Sequence, residues 1–189
     1  IDQIRLKNSS ELSKVLPIQI ITPDKGFIVN GTPKNKRSYL DWGVFHMKQN
    51  FLSNFKKYNK TLKNINILLS KQQYQELDYW LLEISKLSVE ITQSRNNYIT
   101  ELKQTNSNEL INNLSNLFTT IDSFKYEFKS GWPKEVDALN SDSIYQYLLK
   151  SKAFLIKSKY LNYGPHKANI KFFLNDREIK VIFFLYYKI

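Results

Sequence analysis

The stretch FLSNFKKYNKTLKNINILL, residues 51–69, decides the fold. Its apolar members Phe51, Phe55, Tyr58, Leu62, Ile65 and Leu69 are spaced 4, 3, 4, 3, 4. That interval returns side chains to one side of an α-helix, and lysines fill the other side. A second stripe repeats it through Leu77, Leu81, Ile84, Ser88, Ile91, Arg95, Tyr98 and Leu102, with Ser88 and Arg95 as interruptions. Polar residues 70–73 separate the two. Each stripe must bury itself on a neighbour, so the pattern predicts an antiparallel helical hairpin. The outgoing helix, starting at about Ser38, is basic; the returning helix carries Glu76, Asp78, Glu83, Glu90 and Glu101.

Working outward, a third helix is predicted near Asn108–Ile121, followed by a strand through Phe124, Tyr126 and Phe128 up to Gly131. A further helix is predicted over Ser141–Leu155. Ile170–Leu174 and Ile179–Phe184 surround Asn175-Asp176, a hairpin turn signal. Upstream, Ser9 or Ser10 caps a short helix through Val15. Ile18, Ile20 and Ile21 then read as a buried strand, and Asn30-Gly31-Thr32-Pro33 as a loop whose proline opens a helix. The fold class expected is α+β. Residues 1–37 form one segment of strand and loop, 38–156 a helical arm, and 157–189 a returning segment with a β-hairpin.

The 189 residues include no cysteine, which excludes disulfides and thiolate metal sites. The longest apolar run, Val181–Tyr187, is far shorter than the roughly 20 residues a bilayer requires. No signal peptide is visible, so a cytoplasmic protein away from the membrane is expected. The chain opens on Ile1, which suggests that it starts inside a longer protein. Net charge is +11, which favours polyanions. The charge is uneven: residues 34–63 are net +7, 64–149 net −4 and 150–189 net +7. Nearly all basic residues are lysines, so coding bias alone is the competing explanation.

Catalytic motifs are not found. Gly26 and Gly31 have the spacing of a phosphate-binding loop, but Thr32 and Pro33 follow where Lys is needed. No metal is expected at His46 or His166, which are far apart and lack a second ligand at helical spacing. The informative run is Lys34-Asn35-Lys36-Arg37-Ser38-Tyr39-Leu40-Asp41-Trp42-Gly43-Val44-Phe45-His46. Lys36 and Arg37 can contact phosphates, or pair with Asp41 one turn on while Trp42 and Phe45 enter the core.

This run resembles the RecF family of bacterial DNA replication-and-repair proteins. The likeness extends to Leu16–Pro23, Asn30–Pro33, Leu62-Lys63, Gly131-Trp132 and Gly164-Pro165-His166-Lys167-Ala168-Asn169. Leu40, Asp41, Trp42, His46, Gly164, Pro165 and His166 are its most specific positions. The resemblance implies a helical arm, or lever, inserted in a partial ABC/SMC-like ATPase head. It implies ATP and Mg as cofactors of the intact family, ATP-dependent homodimers, and binding to single-stranded or gapped duplex DNA. RecO and RecR mediator proteins are the implied partners, in recombination, repair and the SOS response. The family's phosphate-binding loop would lie before Ile1, and its signature and acidic strand after residue 180. No cofactor is therefore expected on this chain alone.

Lys34, Lys36, Arg37, Lys56, Lys57, Lys60, Lys63 and Lys167 are the candidate nucleic-acid contacts. Ile65 and Asn169 stand where the family usually has Arg and Asp, and Lys36 where Arg is common, which reduces charge or bidentate capacity there. The alternative is a structural arm of a degraded gene product, with no DNA binding of its own. The aromatic end at Ile182–Ile189 reads as sequence past a frameshift, or as an unrelated end.

Overall fold

A computed structural model describes residues 12, 13, 16, 18, 31–117 and 123–178. Helix α1 spans Pro33–Met47, with Thr32 as its N-cap accepting from the Asn35 amide at 3.3 Å and Pro33 in its first turn. Helix α2 spans Phe51–Lys71 and α3 Leu77–Leu117. Strand β1 is Phe124–Lys129. Short helices α4, Ser141–Lys150, and α5, Lys152–Ser158, follow. A 3-10 turn at Pro165–Lys167 leads into β2, Asn169–Leu174, and β3, Arg177–Glu178.

The heptad stripe of α2 does what its spacing requires. Phe51, Tyr58, Ile65 and Leu69 are buried against Leu77, Leu81, Ile84 and Ile91 of α3, while Phe55 and Leu62 are half-buried. Gln72 ends α2 in the left-handed region at φ 60°, and the Gln73 amide closes back on the Leu68 carbonyl at 2.9 Å. The antiparallel pair therefore forms where it was read. Leu148 and Leu155 of α4 and α5 join the same core.

Four expectations need correction. The helix from Ser38 is two helices: Lys48 turns extended (φ −122°, ψ 107°) and its ammonium reaches Ser94 Oγ at 3.0 Å, so α1 leaves the line of α2. No Pro or Gly marks that break. The helices at 77–102 and 108–121 are one helix of 41 residues, because nothing between them breaks it. The helix at 141–155 is divided at Ser151 into α4 and α5. Ile18 lies in no strand and is exposed rather than buried. The remaining expectations for residues 1–30 and for the tail beyond Glu178 fall outside the described residues.

The strands form one antiparallel sheet ordered β1-β2-β3, with Phe128 opposite Ile170 and Tyr126 opposite Phe172. Asn175 and Asp176 both take positive φ (48° and 62°), as a tight two-residue hairpin requires, and Leu174 faces Arg177 across it. Ile170 carries the sheet onto the helices by packing with Leu40 and Ile99. The Tyr126 hydroxyl donates to the Ile99 carbonyl at 3.0 Å. An α+β fold results, as expected.

Candidate nucleic-acid interface and the polar junction behind it

Helix α2 presents two contrasting sides. Toward α3 it is apolar; away from it stand Lys56, Lys57, Lys60 and Lys63, all exposed. Lys56, Lys60 and Lys63 recur at i, i+4, i+7 and share one face. No acid occurs in α2. Among the described residues these four lysines form no salt bridge, whereas three acids of α3 are occupied: Asp78 by Lys152, Glu83 by Lys86 and Glu90 by Lys48.

The other candidate cations sit at the start of α1 and at the 3-10 turn. Lys34 is exposed. Lys36 lies over the Phe172 ring at 5.6 Å, and burial lowers its pKa, with Glu178 opposing and Lys171 adding to the shift. Arg37 donates from Nη1 to the Ala168 carbonyl at 2.8 Å. Burial, then the neighbouring Arg95, lowers its pKa. Lys167 is exposed and lies over the Tyr160 ring at 5.9 Å. Arg37 and Lys167 thus flank one short segment, while the α2 lysines occupy a separate element.

Behind these cations lies a junction of buried polar groups. Arg95, only 1% exposed, donates from Nε to Asp41 Oδ1 at 2.8 Å and from Nη2 to Asp41 Oδ2 at 2.9 Å. Its Nη1 reaches the Pro165 carbonyl at 2.7 Å. Tyr58 Oη lies 2.7 Å from His166 Nδ1, and His166 Nε2 lies 3.0 Å from the Leu161 carbonyl. A carbonyl only accepts, so Nε2 carries the proton and Nδ1 accepts from the phenol. Burial holds the His166 pKa at about 4, with Lys167, Arg37 and Arg95 adding to the shift and the Leu161 bond opposing it. Burial likewise raises the Tyr58 phenol. Asn66 Oδ1 accepts from the Leu161 amide at 2.8 Å. Three helices thereby grip the loop 161–168 through Arg37, Tyr58, Asn66 and Arg95, and His166 links the loop back to Leu161.

Glycines complete the contact. Gly131 has φ 90°, and a Cβ there would collide with the Gly164 carbonyl; the Gly164 amide donates to the Gly131 carbonyl at 3.0 Å. A Cβ on Gly164 would meet the Trp132 ring at 3.3 Å. The runs Leu40-Asp41-Trp42, Gly131-Trp132 and Gly164-Pro165-His166, far apart in sequence, therefore meet in space. His46 lies apart, packed edge-on against Trp42 at 4.6 Å, its Nε2 buried and without a hydrogen-bond partner among the described residues.

Comparison with curated proteins matches the same relationship. The chain is 32% identical over 177 residues to the DNA replication and repair protein RecF of Pseudoalteromonas translucida, covering 92% of this chain and 46% of that protein. It is 32% identical over 166 residues to RecF of Photorhabdus laumondii, covering 86% of this chain and 42% of that protein. The chain is similar to part of RecF. It spans about half the length of these curated RecF proteins. A solved structure of the recombination mediator protein RecF with ATP, from the RecFOR pathway, superposes with TM-score 0.68 at 26% identity, covering 84% of this chain and 43% of that one. A second RecF structure superposes at TM-score 0.70 and 23% identity, covering 86% of this chain and 44% of that one, and shares the fold. No protein-family model matches the chain. The RecF likeness does not favour the alternative of a structural arm of a degraded gene product.

Two sequence readings of the site are corrected here. Asp41 pairs with Arg95 on α3, 54 residues away, instead of with Lys36 or Arg37. Ser88 and Arg95 do not interrupt the stripe: both are buried in it, Ser88 satisfied by the Ile84 carbonyl at 2.6 Å. The available signal was an arginine at a position whose spacing demands burial, which requires a carboxylate partner elsewhere. Tyr58, read only as part of the stripe, and Asn66, not singled out from sequence, are the other junction residues that were missed.

Proposed function

We propose that this chain is the arm-bearing part of a RecF-type DNA replication and repair protein, and that α2 is a phosphate-contacting ridge. One observation carries the reading: Lys56, Lys57, Lys60 and Lys63 stand exposed on a helix without an acid, while Asp78, Glu83 and Glu90 of α3 are neutralised by other lysines. Such a ridge attracts the phosphate backbone without selecting sequence. Lys34, Lys36, Arg37 and Lys167 form a second group, in which Arg37 donates to the Ala168 carbonyl beside Lys167. The natural ligand is single-stranded or gapped duplex DNA in the cytoplasm. In the intact protein we assign ATP and Mg to a head that dimerises, and RecO and RecR as partners. No described helix is long and apolar enough to cross a membrane.

The test is a salt titration of duplex binding by the full chain and by a variant with all four α2 lysines changed to Gln. The slope of log K against log salt becomes shallower by about 0.9 for each phosphate that the lysines no longer neutralise. An unchanged slope refutes the ridge.

A further inference from the structure

A second surface combines charge with exposed rings. Residues 150–167, from the end of α4 to the 3-10 turn, contain Lys150, Lys152, Lys157, Lys159 and Lys167 and no acid. Lys152 is held by Asp78 at 2.7 Å; among the described residues Lys150, Lys157 and Lys159 form no salt bridge. Two large aromatic side chains stand in the same segment with half their surface in water: Phe154 at 50% and Tyr160 at 49%.

Neither ring is a loose side chain on a mobile stem. Phe154 leans on Tyr163 at 6.3 Å between centroids, and Tyr163 meets Tyr147 edge-on at 5.2 Å, giving three rings in contact. Tyr160 follows Lys159, which ends α5 in the left-handed region at φ 63°. The Tyr160 carbonyl is fixed by the Ser158 hydroxyl at 3.0 Å and the Asn162 amide at 3.3 Å. Lys167 lies over the Tyr160 ring, and its neighbour His166 is pinned to Tyr58 and Leu161. Cation and ring are presented together. Two acids approach the margin: Asp78, which holds Lys152, and Glu135, whose charge acts on the Tyr147 phenol.

We propose that this α4–α5 surface is a stacking platform for single-stranded nucleic acid, with Phe154 and Tyr160 facing bases and Lys150, Lys157, Lys159 and Lys167 facing the backbone. The proposal rests on the nucleic-acid reading above but engages bases, on elements distinct from the α2 ridge. Charge decides the occupant: a segment carrying five lysines and no acid selects a polyanion, and flat half-exposed rings offer nothing to a duplex whose bases are already stacked. The α2 ridge is a different kind of surface, since its exposed face presents lysines without exposed aromatic rings.

The experiment measures anisotropy of three labelled probes with the full chain: an oligothymidylate, an abasic oligonucleotide of the same length, and a duplex. Phe154→Ala and Tyr160→Ala each weaken oligothymidylate binding roughly tenfold, the loss of one stacked base. They leave the salt slope, the abasic oligonucleotide and the duplex unchanged. Phe154→Leu keeps the packing against Tyr163 but removes the π-face, and behaves like Phe154→Ala; Phe154→Trp restores binding. Equal affinity of the wild type and both alanine variants for oligothymidylate overturns the platform. So does a parallel loss for all three probes. Failure of the α2 ridge shows differently, as a duplex salt slope indifferent to the four lysines.

Discussion

Arg95 grips both oxygens of Asp41, at 2.8 and 2.9 Å, and with its third nitrogen holds the Pro165 carbonyl at 2.7 Å. One side chain thus ties α1, α3 and the loop leading to β2. The pair is almost dry, Arg95 2% and Asp41 14% exposed at the side chain. Its worth lies in what removal of one partner leaves behind.

Changing Asp41 to Asn or Arg95 to Met strands a buried partner and costs about 3–5 kcal/mol. The double variant carrying Asp41→Asn and Arg95→Met costs less than the two single changes added together. Urea denaturation of the four proteins gives the coupling; additivity would show that the pair does not interact. Arg95→Lys keeps the charge but loses the fork, and recovers only part of the stability.

His166 sets a pH dependence. Its folded pKa is about 4, below the ordinary 6.5, so the unfolded chain takes up the proton first as pH falls. Stability is full above about pH 6.5 and is lost progressively toward pH 4. The loss attributable to this residue is at most about 3 kcal/mol. Protonation also ends the Tyr58 contact, because protonated Nδ1 no longer accepts the phenol proton. The measurement is the difference between wild type and His166→Gln across that window. A difference that stays flat, with Gln carrying no titrating group, sinks the assignment.

The helical pair was legible because Phe51, Tyr58, Ile65 and Leu69 obey a period that only a helix satisfies, and Gln72 ends it among polar residues. The break at Lys48 was not legible. It follows from tertiary contacts to Ser94 and Glu90 that no local pattern reports. The pairing of β1 with β2 joins Phe124 to Leu174 across a gap that periodicity does not span. For the site, sequence reading found Asp41, Pro165 and His166 through a family likeness, and Arg37 and Lys167 through charge. It treated Arg95 as a defect because a single stripe carries no information about what lies opposite.

Structure also grades the stripe that sequence treats as uniform. Ile65 is wholly buried, while Leu62 and Phe55 are half-buried. Ile65→Ala leaves a cavity and costs roughly 2–5 kcal/mol, whereas Leu62→Ala, partly open to water, costs about half as much. Equal losses in thermal or urea unfolding would mean that Leu62 is as enclosed as Ile65.

Gly131 is the position where backbone geometry leaves no choice. Its φ of 90° is one that residues with a Cβ rarely adopt, and the added carbon would strike the Gly164 carbonyl as well as approach the Ala168 amide at 2.7 Å. Both neighbours are backbone, so neither can swing aside. They belong to the loop held by Arg95 at Pro165 and by Arg37 at Ala168, so the strain passes to the junction itself. Gly131→Ala therefore costs more than the roughly 1–3 kcal/mol of an unfavourable φ alone. It also opens the loop that buries His166, and the weaker burial moves the His166 pKa back toward 6.5. Titration of the His166 ring by NMR reads that shift directly. A variant as stable as wild type, with His166 still titrating near pH 4, would show that the loop accommodates a Cβ and that the glycine is not required there.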